Sequence, residues 1–515
     1  MIHISLIKPI AEHLKEKAKK LGSKTAFVDA QTSVTYEDLE QRTARLATAL
    51  QEMGIMPGDR VAIHFPSSVP WIEACLAIVR RGAVVVPISY DATDDEALYR
   101  LEDSGSRAII STAARARRLD KLRSQVPSVK TVVLRGLAAS GAPSDVRSYE
   151  SLLAGAVSPD ADQGTDLDAP SFILYTSGTT GKPKGALLTQ RGMLWVVAAC
   201  WVPIAGLCSD DYMLTALPLY FSYAVDLPVL GTLVTGATTR VMERFSVTEA
   251  LELLNSGEFT LFPGVPTMFH YLLLKAGDSP LNFGKLRLCI SAGAIMPATL
   301  NVEFERRTGV PLVDGLGSTE TSTMITLNWP GRERVMGSCG PPILGQAVRI
   351  VDPKTRLDSL PGSEGELIVR GPNVMPGYHN KPAETAKALV AGWYLTGDLA
   401  KFDPHGFITI TGRLKELIIR GGENIAPAEI EEVALKFPGV ADCAVVAGKH
   451  QFLGEVPVLF VVSKPGAEVD RAALKAFCGQ HLSAHKVPED IRHLDHIPRT
   501  GSGKTLRFEL KKLLE

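Results

Sequence analysis

The chain has 515 residues, 45% of them hydrophobic, which allows two to four packed units of roughly 150 residues each and a large buried core. Its 55 basic and 56 acidic residues leave a formal charge of -1, so no net field draws it to nucleic acid or an anionic membrane, and a small-molecule partner is expected. Seven cysteines stand far apart (Cys75, Cys200, Cys208, Cys289, Cys339, Cys443 and Cys478), which excludes the paired spacing of zinc or CxxC redox sites and fits a reduced, cytoplasmic setting.

The first residues lack the apolar core of a signal peptide, no run approaches about 20 apolar residues, and Lys511 to Glu515 carry no lipidation signal, so a soluble protein with no membrane span is expected. Ile10 to Lys20 reads as a basic amphipathic helix, expected on the protein surface rather than on a membrane. Arg115, Arg117 and Arg118 read as solvated charges. Thr35-Tyr-Glu-Asp38 has the form of a capping box, followed by Leu39, Leu46, Leu50 and Met53 and a terminating Gly54. Apolar runs at Arg60 to His64 and Ala83 to Ile88 predict buried strands, with a helix at Trp71 to Val79 between them. The alternation continues to about residue 330, which predicts an α/β class with mainly parallel sheets. Short strands punctuated by glycine and proline between Gly337 and Phe407 predict a compact β subdomain. After Gly412 about 100 residues remain, enough for a small α+β domain.

The densest local signal is YTSGTTGKPKG, Tyr175 to Gly185, directly after the apolar run Phe172-Ile173-Leu174. Glycines let the backbone turn and aim its N–H groups inward, the hydroxyls of Thr176, Ser177 and Thr179 add donors, and Lys182 and Lys184 add positive charge, so the loop can hold a polyphosphate. It is not a Walker A loop, since no Gly-Lys-Ser/Thr ends it. Gly501-Ser-Gly503-Lys504-Thr505 is a nearer lookalike. However, Pro498 stands where its first glycine would fall, and only ten residues follow Thr505.

YTSGTTGKPKG resembles the phosphate-loop signature of the adenylate-forming superfamily of acyl-CoA synthetases, nonribosomal peptide adenylation domains and luciferases. Further similar motifs follow in order: DGLGSTE (Asp314 to Glu320), YLTGD (Tyr394 to Asp398), GRLKELI (Gly412 to Ile418) and PRTGSGKTLR (Pro498 to Arg507). The resemblance is greatest to a stand-alone acyl- or aryl-CoA ligase. It implies a large N-terminal AMP-binding domain over residues 1–411, β-rich from about 337, and a small mobile C-terminal domain over 412–515 with the active site between them. ATP, Mg²⁺ and coenzyme A are the implied cofactors and substrates.

It also implies residue roles. Thr176, Ser177, Gly178, Thr179, Thr180 and Lys184 would hold phosphates. Gly293, Ala294, Asp314, Gly315, Leu316, Gly317 and Ser318 would line the nucleotide site, Thr319 would contact the AMP phosphate, and Glu320 would ligate Mg²⁺, a hard cation suited to a carboxylate oxygen. Asp398 would accept hydrogen bonds from the ribose hydroxyls, with Arg413 backing it from across the domain junction and Asn424 nearby. Lys504 would stabilise charge that develops during adenylation. Lys415 would be the hinge, and Gly421 and Gly422 would line a thiol tunnel.

The chain also departs from the pattern. Leu316 stands where an aromatic usually stacks on adenine, Phe221 follows Pro218-Leu219-Tyr220 where His is usual, and Ile419 replaces a lysine of some relatives. By resemblance, the acid pocket comprises Ser222, Tyr223, Ala224, Gly264, Val265, Ala292, Gly293 and Met324. Amino-acid activators place an acid at the position of Ser222 to hold the α-ammonium, and a hydroxyl cannot replace that ion pair. An apolar fatty, aryl or related acid is therefore expected. With no carrier domain before Glu515, the thiol is expected from a separate molecule: CoA, or alternatively the phosphopantetheine of an acyl carrier protein. A non-catalytic nucleotide sensor is the reading from another class, and retention of Lys184, Glu320, Asp398, Arg413 and Lys504 argues against it. His481 and His485 are spaced i,i+4, but no Glu follows the first in the HExxH manner and Lys486 adjoins the second, so a surface pair is expected.

Overall fold

The computed structural model describes residues 1–137, 145–176, 183–277, 279–500 and 503–514. The phosphate-loop residues Ser177, Gly178, Thr179, Thr180 and Lys182 lie outside them. Among the described residues the chain forms four sheets.

One sheet has eight strands in the order Gly377–Tyr378, Lys184–Thr189, Pro170–Thr176, Val84–Pro87, Arg60–His64, Ala108–Thr112, Thr131–Arg135 and Val146–Ser148. From Pro170–Thr176 onward its pairs are parallel, while the first two strands run antiparallel at the edge. The predicted strands at Arg60–His64 and Val84–Pro87 are central here, buried along almost their whole length, as the unbroken apolar runs require of strands covered on both faces. Val69–Arg80 is the helix between them, buried throughout.

A second sheet has seven strands in the order Leu312–Asp314, Leu288–Ser291, Leu261–Gly264, Tyr212–Thr215, Thr238–Val241, Thr25–Val28 and Ser33–Thr35, parallel except for the last pair. The basic N-terminal helix, Ile10–Leu21, buries Ile10, Ala11, His13 and Leu14 in the core that it shares with the helix Tyr36–Glu52. Tyr36–Glu52 starts with both hydrogen bonds of the Thr35–Asp38 capping box and is followed by Gly54 at φ 74°, a conformation that favours glycine.

The glycine- and proline-punctuated segment forms a five-stranded antiparallel sheet of Ala347–Val351, Gly365–Arg370, Leu389–Val390, Trp393–Phe402 and Ile408–Arg413. The remaining residues build a small α+β unit on the long hairpin Val440–His450/Gly454–Ser463, covered by the helices Pro427–Ala434 and Arg471–His481. That last helix ends at His481, whose Nδ1 is 2.9 Å from the Phe477 carbonyl, while His485 lies in the next short turn and pairs with Glu423 at 3.0 Å. The two imidazoles therefore serve different elements. Among the described residues no helix is long and apolar enough to cross a membrane.

Candidate active site

Neighbouring parallel strands that end together create a crevice at their carboxyl ends, where α/β sheets bind ligands. Here the register aligns Gly264 with Ser291 and Ser291 with Asp314, so the segments after three adjacent strands open side by side. Val265, Ala292, Gly293, Ala294 and Gly315 to Ser318 all lie on those segments. Two of the glycines have no room for a side chain. A Cβ on Gly317 would stand 1.5 Å from the Thr323 carbonyl oxygen, and one on Gly315 would stand 2.4 Å from the Met324 methyl. Leu316 packs against the cluster of Ile325, Cys339 and Ile350.

Buried polar atoms line the same crevice. Ser291 Oγ and the Asp314 carboxyl are buried neighbours that interact with each other, and neither Ser291 Oγ nor Asp314 Oδ1 has another side-chain partner among the described residues. Burial pushes the Asp314 carboxyl well above the usual carboxylate range. Buried polar atoms with hydrogen-bonding capacity to spare fit a site that a polar ligand completes. The short helix Ser222–Ala224 closes one wall. Tyr223 stacks on Trp201 with centroids 6.1 Å apart and donates its hydroxyl to the Ile290 carbonyl at 3.1 Å.

The turn after DGLGST is held under strain. Ser322 and Thr323 have φ of 55° and 146°, values uncommon outside glycine and most costly for a β-branched residue. Asn373 fixes the turn, donating to the carbonyls of Thr321 and Met324 at 2.9 Å each and accepting from Ser322 Oγ at 2.8 Å. This geometry presents Thr319 and Glu320 from a single helical turn, Thr319–Thr321. Glu320 is 9% exposed, and its Oε1 accepts from the Tyr378 hydroxyl at 2.8 Å. Lys184, the first residue of its strand, pairs with Glu384 at 2.8 Å and lies 5.1 Å from the centre of the Tyr378 ring. Thr176 donates to the Lys184 carbonyl at 3.4 Å.

Asp398 and Arg413 face each other in register on adjacent strands, and Nε of Arg413 is 2.8 Å from Oδ1 of Asp398. Arg413 therefore belongs to the same sheet as Asp398 and does not reach it from across a domain junction. Burial raises the Asp398 carboxyl, and Arg413 and then Lys504 draw it back down. Lys504 brings the small unit to this corner. Asp398, Glu320 and Glu416 attract its ammonium and Arg413 repels it, and it is held below the usual lysine range by burial first and Arg413 second. The preceding Gly503 sits so close to the segment after Leu261–Gly264 that a Cβ there would stand 3.1 Å from Val265 and 3.0 Å from Thr267. Arg499 anchors this loop, donating to the Gly503 carbonyl at 3.1 Å and to Asp442 Oδ1 at 2.7 Å.

The other motif residues of the small unit lie elsewhere. Gly421 and Gly422, with φ of 58° and 91°, form the two-residue turn between Ile418–Arg420 and Glu423–Ile425, the backbone of a tight hairpin turn. Gly421 N–H donates to Leu453 at 2.8 Å, at the Gly454 end of the long hairpin, whereas the Lys504 loop is tied to Asp442 at the end where Asp442 pairs Val462. With a strand rise of about 3.3 Å per residue, those ends are roughly 25 Å apart. Asn424 and Ile419 are exposed beside the glycine turn. Lys415 is exposed in the turn joining Arg413 to Ile418.

Sequence reasoning missed Tyr378, Glu384, Asn373 and the Arg499–Asp442 anchor. Tyr378 and Glu320 are 58 positions apart, and no spacing rule links them.

Comparison with known proteins bears on this site directly. The family described as AMP-binding enzyme matches residues 14–379, and the family of AMP-binding enzyme C-terminal domains matches residues 429–504. A feruloyl-CoA synthase from Amycolatopsis sp is 34% identical over 497 residues, covering 96% of this chain and 97% of that protein. A 2-succinylbenzoate–CoA ligase from Geobacillus kaustophilus is 32% identical over 504 residues, covering 97% of each. ATP-bound MatB from Rhodopseudomonas palustris superposes with a TM-score of 0.89 at 30% identity over 98% of both chains. An anthranilate CoA ligase, AuaEII, in complex with anthranoyl-AMP shares the fold with a TM-score of 0.92 at 24% identity, covering 98% of this chain and 97% of that one. With one family match spanning more than half its length and relatives over 30% identical along nearly all of it, the chain belongs to the AMP-binding enzyme family.

Proposed function

We propose that this acid–thiol ligase joins an apolar fatty, aryl or related carboxylic acid to coenzyme A in two steps. In the first, a carboxylate oxygen attacks the α-phosphorus of ATP, forming acyl-AMP and releasing pyrophosphate. In the second, the CoA thiolate attacks the acyl carbon, and AMP leaves carrying the bridging oxygen that came from the carboxylate. The observation that carries the reading is the approach of the Lys504 loop to the strand ends, where a Cβ on Gly503 would stand 3.1 Å from Val265, with the Lys504 ammonium in the field of Asp398, Arg413 and Glu320. The feruloyl and succinylbenzoate relatives support an organic acid and CoA as the substrates.

In this reading Lys504 offers its ammonium to the negative charge that builds on the phosphate and carboxylate oxygens, where a buried site strengthens the interaction. Asp398, oriented by Arg413, accepts hydrogen bonds from the ribose hydroxyls. Asp314 and Ser291 offer buried polar atoms with hydrogen-bonding capacity to spare to the base and sugar side. Thr176 and Lys184, with the phosphate-loop residues outside the described set, hold the phosphates. Among the described residues no three His, Cys, Asp or Glu gather as a metal site, so Glu320 fits Mg²⁺ only as one ligand beside nucleotide oxygens. Mg²⁺ bound there would neutralise phosphate charge.

Small and apolar groups at Ala224, Gly264, Val265, Ala292 and Met324 favour an uncharged acyl group, and Ser222 offers no anion for an α-ammonium. The test is a pyrophosphate-release assay across fatty, aryl and amino acids, with and without CoA. Apolar acids should release pyrophosphate, and CoA should convert the bound acyl-AMP to thioester. Turnover only with a carrier protein would reassign the acceptor, and no turnover with any acid would favour the non-catalytic sensor.

A further inference from the structure

A carboxylate as enclosed as Glu320 is ordinarily matched by a cation, because an unpaired buried charge is costly. Its hydrogen-bond partner here is a neutral hydroxyl instead. Tyr378 donates to Oε1 at 2.8 Å, and Oε2 makes no hydrogen bond among the described residues. Two cations bear on this corner: Lys504, whose ammonium Glu320 attracts from the small unit, and Lys184, which stands across the same ring 5.1 Å from the Tyr378 centroid with its ammonium engaged by Glu384 at 2.8 Å. Tyr378 thus touches both the carboxylate and the lysine while separating their charges.

The ring is fixed for that task. Gly377–Tyr378 adds to the sheet edge beside Lys184–Thr189, with Tyr378 opposite Ala186. The Tyr378 N–H donates to Thr385 Oγ1 at 2.9 Å, and the Glu320 carbonyl accepts from Met375 N–H at 2.8 Å. A phenylalanine would fill the same space, so packing alone gives no reason for the hydroxyl.

We infer that Tyr378 is a positioning residue for the phosphate and metal corner. Its hydroxyl turns Glu320 so that Oε2 stays free as a ligand, and its face seats Lys184 between Glu384 and the phosphates. The inference rests on the reading of Glu320 as a Mg²⁺ ligand and Lys184 as a phosphate ligand.

The experiment compares the parent enzyme with Tyr378→Phe, Tyr378→Leu and Glu320→Gln. Mn²⁺ binding is titrated by electron paramagnetic resonance in the presence of the α,β-methylene analogue of ATP, and the Mg²⁺ giving half-maximal ATP–pyrophosphate exchange is measured separately. Tyr378→Phe should weaken Mn²⁺ binding about tenfold, as loss of a partner behind a metal ligand does, and raise the Mg²⁺ requirement while leaving the KM for the acid unchanged. Tyr378→Leu should add weaker binding of the ATP analogue, because Lys184 loses its aromatic face. Parental Mn²⁺ binding in Tyr378→Phe, with Glu320→Gln weakened, would overturn the role of Tyr378 alone. Parental binding in Glu320→Gln would remove Glu320 from the metal site and the inference with it.

Discussion

In the large N-terminal part the site residues stand on buried strands or on segments tied to them, whereas Lys504, Lys415, Gly421 and Gly422 of the C-terminal unit stand in loops and turns. Gly264, Ser291 and Asp314 are locked side by side by sheet register, and the Glu320 turn is pinned by three hydrogen bonds of Asn373. Lys504, by contrast, follows a glycine in a loop anchored by Arg499, and Gly421 and Gly422 are exposed at the other end of the same unit. A site needs fixed groups where substrates are held in both half-reactions and exchangeable groups where they differ. The division suits a reaction in which the small unit turns between steps, presenting the lysine first and the glycine turn second.

The largest test of that division is Lys504→Ala. Acyl-AMP formation should fall by several orders of magnitude, while acyl-AMP supplied from outside is still converted to thioester, because the second step has no pyrophosphate leaving group. Equal loss in both half-reactions would contradict an exchangeable lysine. The ammonium is held below the usual lysine range, so the alkaline fall of adenylation should begin at lower pH than for a free lysine. In Lys504→Arg, whatever adenylation survives should persist to higher pH, since guanidinium does not deprotonate there.

Next in size is the joint. Lys415 is exposed, and its N–H makes no hydrogen bond among the described residues, so proline there removes no bond that holds the arrangement seen. It does fix φ and restrict Leu414. Lys415→Pro should retain much of its acyl-AMP formation and lose most thioester formation. Parental rates in both half-reactions would sink the proposed hinge.

A fixed residue should behave differently. Ser222 is 7% exposed, and in the proposed reading the acid lies against it in both steps. Ser222→Asp should weaken use of the native acid alike in adenylation and thioesterification, by burying an unpaired charge, without creating an amino-acid ligase. A higher rate with the native acid would mean that the acid carries a cation, and the apolar reading would fall.

These contrasts explain which features were legible in the sequence. The strand Arg60–His64, the Thr35 capping box and the change of texture after Gly337 are local, set by periodicity, cap chemistry and glycine–proline punctuation, and each stands where expected. The phosphate-loop pattern points to a site because its residues act together within a few positions. Tyr378 and Asn373 act on Glu320 and its turn from about fifty positions away, through contacts that only the assembled sheets create. Arg413 shows the same limit in reverse. Its motif suggested a contact across a junction, but the strand pairing of Trp393–Phe402 with Ile408–Arg413 sets it beside Asp398 within one sheet.

The smallest expected effect separates stability from exchange. Thr35 closes a hairpin strand and caps the helix Tyr36–Glu52, accepting from Asp38 N–H at 3.1 Å while Asp38 Oδ2 accepts from Thr35 N–H at 3.0 Å. Thr35→Ala removes the first of these bonds and leaves the backbone that makes the second, at a cost of about 1 kcal/mol. The helix packs against Ile10–Leu21 and Val69–Arg80 in the large part, and among the described residues none of its side chains hydrogen-bonds or ion-pairs with the Lys504 loop. The Tm of that part should therefore drop slightly, with the ratio of the two half-reaction rates unchanged. If Thr35→Ala shifted that ratio, the helix would be coupled to the C-terminal unit, and the N-terminal part could no longer be treated as the fixed half of the site.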